Sequence, residues 1–305
     1  MVMRHGKYPF VIGFLVVPVL LYAVFVISPY VQAFYYAFTD WHGIAAHPKL
    51  VGFANFTKLF HDSVFWKAAE HNIMLLLALP LITIAIALFL AFMLNVGGGS
   101  RGGTRSGVWG SKFYRVVFFL PQVLSLAIIA VLFQEILRPD NSGAINSIVH
   151  ALGFSNIGFL TNPTLSMWTI IGVLVWQAVG FYVVLFSAGM SSIPGDIYEA
   201  AEMDGASRIV LFFRVTLPLL FDTIQVAWVY LGIAAFDAFA LVNILTVDNG
   251  GPDGATTVLA NEIYRDAFVY SRFGYASAMG VVLFFLTLTF AVLTLRLSRR
   301  ESIEY

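Results

Sequence analysis

Cysteine is absent from this chain of 305 residues. That excludes a disulfide framework, a thiol nucleophile and any thiolate metal site. Charge is nearly as scarce: Asp, Glu, Lys and Arg make up 11% of the residues, against about 25% in ordinary soluble domains. So little charge cannot solvate a globular surface of this size. A soluble enzyme, a disordered chain and a nucleic-acid binder of the basic-patch kind are therefore excluded. Catalytic and cofactor motifs are missing as well. No Gly-Lys-Ser/Thr occurs, so the chain has no Walker A loop of its own. No His-Glu-x-x-His is found, and His5, His42, His47, His61, His71 and His150 are scattered without metal-ligand spacing. No metal or cofactor site is expected in this chain.

What is present is apolar: 59% of residues are hydrophobic and 16% aromatic. A helix crossing the hydrocarbon core needs about 20 mostly apolar residues. Long apolar stretches with little or no acid or base predict six spans, centred on Phe10–Tyr30, Ile73–Leu94, Val116–Phe133, Leu165–Gly189, Phe221–Leu245, which Asp237 interrupts, and the run between Arg272 and Arg296. The expected fold is all-α and polytopic. The runs are continuous rather than alternating, which excludes an outer-membrane barrel. The first is too long for a cleavable signal peptide and lacks a small-residue cleavage site.

The formal net charge is zero, from 17 basic and 17 acidic residues, but the basic ones are unevenly spread. With six spans, both termini share a side with Arg4, Lys7, Arg101, Arg105, Lys112, Arg115, Arg208, Arg214, Arg296, Arg299 and Arg300. The other side holds Lys49, Lys58, Lys67, Arg138, Arg265 and Arg272. The positive-inside rule then predicts both termini in the cytoplasm.

Three connections stand out. The first external loop, about Thr39–Ala69, is rich in Trp and Phe and is expected to hold a short interfacial helix. The loop Asn95–Lys112 contains Gly97, Gly98, Gly99, Gly102, Gly103, Gly107 and Gly110 and reads as a flexible linker. The third, between spans four and five, runs from Ser192 to Pro218. Pro194 suits a first helical turn, and Asp196 and Glu199 complement the helix dipole. Gly205 can adopt the left-handed conformation that ends a helix, and a second helix should follow. Ala200 and Ala201 give a smooth surface. Tyr198 and Met203, expected to be exposed, mark a docking face.

Glu199-Ala200-Ala201, Gly205 and Val215-Thr216-Leu217-Pro218 resemble the EAA loop of ABC importer permeases, with Val215 where the family has Ile. Two further stretches resemble carbohydrate permeases of the MalF/UgpA type. One is the last external loop: Leu245-Thr246, Asn249-Gly250-Gly251-Pro252, Thr256-Thr257, Ile263-Tyr264, Ala267-Phe268 and Gly274-Tyr275-Ala276-Ser277-Ala278, with Val247-Asp248 inserted. The other is the N-terminal region: Tyr36–Trp41, Val51–Phe56 and Phe65-Trp66. The large extra external domain of the maltose permease is lacking.

The resemblance implies a type I ABC importer permease in the cytoplasmic membrane of a prokaryote. It implies pairing with a second, homologous permease, two nucleotide-binding ATPase subunits that bind ATP and Mg, and an extracytoplasmic solute-binding protein. The solute would be a carbohydrate or carbohydrate derivative. Tyr198, Glu199, Ala200, Ala201, Met203, Asp204 and Gly205, with Leu217 and Pro218, would couple to the ATPase. The implied organisation is residues 1–67 as an N-terminal helix and external loop, 68–297 as the permease core with the coupling loop at 192–218, and 298–305 as a tail.

An ionisable residue inside a span is costly. Asp237, expected deep in span five, therefore either lines the solute path or pairs with a neighbouring helix or subunit. On a continuous helix Asp237, Leu241 and Ile244 share one face, and Phe236, Phe239 and Asn243 another. Carboxylates and amides bind sugar hydroxyls, and aromatic rings pack on the C–H face of a sugar. Trp176, Gln177, Phe181 and Tyr182 in span four serve either packing or the path, and Asn72 at the head of span two is a weaker candidate. An ion-driven secondary carrier is the alternative from another class. It would show internal repeats and several midplane charges, and neither is evident.

Overall fold

Long apolar runs with few helix breakers form long helices. In the computed structural model, which describes residues 7–43, 48–95, 100–101, 104–105, 108–246, 248 and 250–297, four helical stretches are long and apolar enough to cross a membrane: Val11–Tyr36, Ser63–Asn95, Pro163–Ser192 and Phe273–Arg296. Two further helix pairs are bent, by 97° and 71°, and each pair counted as one span brings the total to six. Arg4, the tail 298–305, His5, His47, Gly97, Gly98, Gly99, Gly102, Gly103, Gly107, Val247 and Asn249 lie outside the described residues.

The helices are α1 (Lys7–Tyr22), α2 (Ser28–Tyr36), α3 (Ala54–Phe60), α4 (Ser63–Asn95), α5 (Ser111–Val123), α6 (Leu126–Ile136), α7 (Ala144–Ala151) and α8 (Pro163–Ser192). They continue with α9 (Gly195–Met203), α10 (Arg208–Val210), α11 (Leu217–Leu219), α12 (Phe221–Phe236), α13 (Phe239–Leu245), α14 (Leu259–Tyr264) and α15 (Phe273–Leu297). Part of the glycine-rich loop, expected as a plain linker, pairs Ser100–Arg101 with Thr104–Arg105 as a minimal antiparallel hairpin.

Two compact units are present. The first comprises residues up to Trp66 together with Glu262–Phe285. Its α1 and α2 join through a π-helical turn, Ala23–Ile27. None of the most apolar stretch of this helix is buried within the chain, as suits a surface facing lipid. Phe34 packs edge-on against Phe284 and Phe285, with ring centroids 5.8 and 6.0 Å apart. The short helix expected in the first loop is α3, whose Asn55 amide donates to the carbonyls of Ala37 and Thr39 at 2.9 and 2.8 Å.

This unit also holds a dense set of charges. Tyr275 donates to Asp62 at 2.6 Å, with the Lys58 ammonium over its ring. Glu262 pairs with Arg265 at 2.7 Å, and Asp266 with Arg272 at 3.6 Å. Burial pushes the carboxyls of Glu262 and Asp266 above their ordinary values, against the opposing pull of those arginines. The folded state therefore holds protons more tightly than the unfolded one, and its stability falls as pH rises above the usual carboxylate range. Acidification that protonates these two carboxyls is expected to tighten this segment. The check is hydrogen exchange of amides 262–272, corrected for intrinsic rate; faster corrected exchange at the lower pH would contradict it.

The second unit comprises Lys67–Asn261 and the chain from Leu286 onward. Its core is the aliphatic and aromatic interior of α4, α6, α8, α12 and α13. Glycine sets the closest approach. A Cβ on Gly180 of α8 would lie 1.8 Å from the Phe118 carbonyl oxygen of α5, so those two backbones touch directly. At Gly232 of α12 the Phe290 ring takes the space of a side chain, 2.2 Å from where a Cβ would stand.

Span three is not the single helix expected. Pro121 withholds an N–H near the end of α5, Leu124 is extended (φ −76°, ψ 141°), and the Ser125 hydroxyl caps α6 by accepting from Ile128 N. Span five is interrupted too. A bend precedes α12, and α12 ends at Phe236 with α13 starting at Phe239.

Candidate functional site

The connection after α8 is built as the sequence suggests, apart from the places of Pro194 and Tyr198. Pro194 is the N-cap of α9, one position before the helix, and Asp196 lies in its first turn. At the other end Gly205 takes φ +78°. Gly205 N donates to Glu202 O and Ala206 N to Ala201 O, each at 2.9 Å. That paired pattern is the Schellman arrangement, which needs a left-handed residue at this position. The Ser207 hydroxyl then caps α10 by accepting from Val210 N. Helix α10 continues through a π-helical segment, Leu211–Thr216, into α11.

Helix α9 has two faces. Asp196, Glu199, Ala200 and Met203 recur at helical spacing and are exposed, as are Asp204 and Gly205, and Met203 is 89% exposed. Tyr198 was expected on that surface. It is only 4% exposed, and its hydroxyl shares a hydrogen bond with Thr216 Oγ1 at 3.2 Å. A helix this short must spend its largest apolar residue on the core, so Tyr198 ties α9 to the π-helical segment. Ala201 is half-buried beside it; Leu217 is half-buried and Pro218 exposed.

The interior candidates separate into different roles. Asp237 does not stand mid-helix: it is the C-cap of α12, with φ −100° and ψ 29°, and is exposed within this chain. Asp237 N still bonds back to Ile233 O and Ala234 O, and the backbone leaves the helical region at Asp237 itself. The break resets the helical phase, so the two expected faces do not form. Phe236 is buried and packs against Phe290 with centroids 6.2 Å apart, and Leu241 is fully buried. Phe239 and Asn243 are half-buried, and Asn243 Oδ1 accepts from Asn261 Nδ2 at 3.5 Å.

Asn72 is 1% exposed, and both ends of its amide are hydrogen-bonded. Its Nδ2 donates to Ala235 O at 3.0 Å and its Oδ1 accepts from Leu259 N at 2.8 Å. It clamps α4 to α12 and α14 and is not free to meet a solute. Asn72→Ala would strand a buried N–H and a buried C=O, at about 1–3 kcal/mol each. A fall of several degrees in the melting temperature of the purified chain checks this, whereas unchanged melting would contradict it.

On α8, Trp176 and Phe181 are each 42% exposed and Gln177 is half-buried. Gln177 and Phe181, four residues apart, share a face. Trp176 meets Phe133 edge-on at 5.1 Å. Tyr182 is buried between Phe181 and Phe186 and serves packing.

Two polar clamps were not anticipated. Gln134 Nε2 donates to the Ile244 carbonyl, where α13 leaves its last carbonyls unpaired, and holds α6 to α13. The available signal was a lone amide within an apolar run. Lys67 Nζ donates to Asp253 O and His71 Nδ1 meets Thr257 O, each at 2.7 Å. These bonds anchor the loop after α13 on the head of α4, and no local pattern announces them.

Residues 67–303 match the family described as binding-protein-dependent transport system inner membrane component. The diacetylchitobiose uptake system permease protein NgcF of Streptomyces coelicolor is 40% identical over 300 residues, covering 97% of this chain and 84% of that protein. The multiple sugar-binding transport system permease protein MsmF of Streptococcus mutans is 33% identical, with 94% of each chain covered. Among solved structures, a chain of a bacterial ABC transporter involved in import of the acidic polysaccharide alginate superposes with a TM-score of 0.83. The coverage is 98% of both chains at 24% identity, and the shared fold is that of a type I ABC importer permease.

Proposed function

Because the chain belongs to the binding-protein-dependent transport system inner membrane component family, we propose that it is the transmembrane subunit that couples ATP hydrolysis in a separate protein to import of a carbohydrate or carbohydrate derivative. The observation that carries the coupling role is the exposed face of α9, closed by left-handed Gly205. Glu199, Ala200, Met203, Asp204 and Gly205 dock on the nucleotide-binding subunit, which binds ATP and Mg. Tyr198 fixes the angle of α9 from behind, and Leu217 and Pro218 carry its displacement into α12. Both termini and α9 lie in the cytoplasm. A homologous permease completes the membrane pair, and a solute-binding protein delivers the solute from outside. The carbohydrate assignment rests on saccharide-transporting relatives that match along nearly the whole chain.

The absence of native cysteine makes any introduced one unique. Met203→Cys in the assembled transporter is expected to cross-link to the ATPase subunit, and Leu152→Cys, also exposed, is not. Equal cross-linking, or none from Met203→Cys, would contradict the docking assignment. A thermal-shift screen of mono- and oligosaccharides on the cognate solute-binding protein tests the solute class.

Asp237, exposed at the helix break, and Phe239, Gln177 and Phe181 are the candidates left for solute contact. Asp237→Asn is expected to change the relative uptake of solutes with little change in stability. Unchanged uptake ratios would remove it from the path.

A further inference from the structure

We propose that the second unit holds a site for an anionic phospholipid, with its phosphate on Arg115 and one acyl chain in the groove between α4, α5 and α8. The groove is a cavity of about 620 Å³ lined by residues that include Ile86 and Leu90 of α4, Val117, Phe118 and Pro121 of α5, and Trp176 of α8. Its lining is apolar throughout, which suits a hydrocarbon chain and offers almost nothing to a hydroxylated solute. Two walls, α4 and α8, are long and apolar enough to cross a membrane, and the third, α5, is half of a bent apolar pair, which puts the groove where acyl chains are.

A cation sits one helical turn from the groove. Arg115 and Phe118 are three residues apart on α5 and share a face. The Arg115 guanidinium donates to Asn95 Oδ1 at 2.6 Å, and Asn95 in turn donates to Ser187 Oγ on α8 at 2.9 Å. Asn95 lies five residues beyond Leu90, about 7.5 Å along α4. The same three helices that form the groove therefore hold the guanidinium at its end. Its Nε is buried with no hydrogen-bond partner, and among the described residues no carboxylate pairs with it. A half-buried cation held by one neutral amide lacks the anion that would offset its desolvation.

The surroundings place that cation at headgroup depth. Trp109 is 96% exposed, Phe113 and Tyr114 are exposed beside it, and Lys112 adds a second charge at the start of α5. Amphipathic aromatics with basic residues are the composition of the membrane interface. A basic pocket between spanning helices recognises an anionic headgroup. Charge, depth and the adjoining apolar groove together select a phospholipid.

The test uses the full chain, purified in mild detergent both alone and in the assembled transporter. Phosphatidylglycerol and phosphatidylcholine of matched chains are titrated, and retained lipid is counted by native mass spectrometry. The expected result is one phosphatidylglycerol held about tenfold more firmly than phosphatidylcholine. Arg115→Gln, which can still donate to Asn95, is expected to remove that preference, and Arg115→Lys to keep part of it. Gly172→Leu, at a lining position where a Cβ meets nothing within 4 Å, should fill the groove and release both lipids. Inorganic phosphate, which has the charge without the chain, should displace neither. Equal retention of the two lipids, a preference that survives both Arg115→Gln and Gly172→Leu, or release by phosphate overturns the proposal. So does loss of bound lipid on assembly with the second permease, which would mean that a partner helix covers the groove.

Discussion

Gly205→Val is expected to cut ATP-driven uptake by about tenfold or more while the chain remains inserted and folded. The cause is conformational. No atom stands within 4 Å of a Cβ built on Gly205, so space is not limiting, but its φ is +78°. An L-residue there costs about 1–2 kcal/mol, and a β-branched one is among the least suited. The chain can relieve that strain by giving up the bonds from Gly205 N and Ala206 N, which close α9 and set the angle at which Met203 and Asp204 are presented. A series follows from the same argument. Asn, which tolerates the left-handed region, should retain most uptake, Ala less and Val least. The readouts are uptake in cells, substrate-stimulated ATP hydrolysis in the purified complex, and the amount of ATPase that co-purifies. Coupled transport undiminished by valine would make the coupling assignment wrong.

Gly180→Leu is expected to have the largest effect on folding, about 3 kcal/mol or more. At this position the obstacle is backbone. A Cβ would stand 1.8 Å from the Phe118 oxygen, 2.3 Å from its carbonyl carbon and 2.8 Å from Phe119 N. Neither helix can rotate a side chain aside, so α5 and α8 must separate along their main contact. Gly172, on the same helix, is the internal control, because a Cβ there meets nothing within 4 Å. Thermal stability by size-exclusion chromatography should place Gly172→Leu near the parent and Gly180→Leu far below it, with little monodisperse protein recovered. Comparable stability of the two variants would show that the close approach of α5 and α8 does not govern folding of this unit.

These two glycines mark what the sequence discloses and what it hides. Gly205 was legible because helix termination is local: a glycine after an amphipathic turn, followed by a Ser cap, has one economical conformation. Gly180 was not, since its neighbour is Phe118, some sixty positions away in the chain. The spans were legible because burial in lipid demands long apolar runs. Their interruptions were less so, as a break at Leu124 or Asp237 changes hydropathy little. Pro121 with Ser125 was a readable signal for the first break, and Asp237 itself signalled the second, although its cost suggested a midplane charge rather than a helix end. Tyr198 was misplaced because a nine-residue helix is too short for periodicity to separate its faces. Asn72 was read as a weaker candidate for the solute path, because its partners, Ala235 and Leu259, come from distant helices that only the fold brings to it.

The most direct measurement is solute uptake into proteoliposomes containing this chain, its partner permease and the ATPase, with the solute-binding protein added outside. Uptake of a saccharide that requires internal ATP and the binding protein, and stops when either is withheld, is the predicted result. Uptake by this chain driven by an ion gradient, with neither ATP nor a binding protein, would contradict the account and make it a secondary carrier.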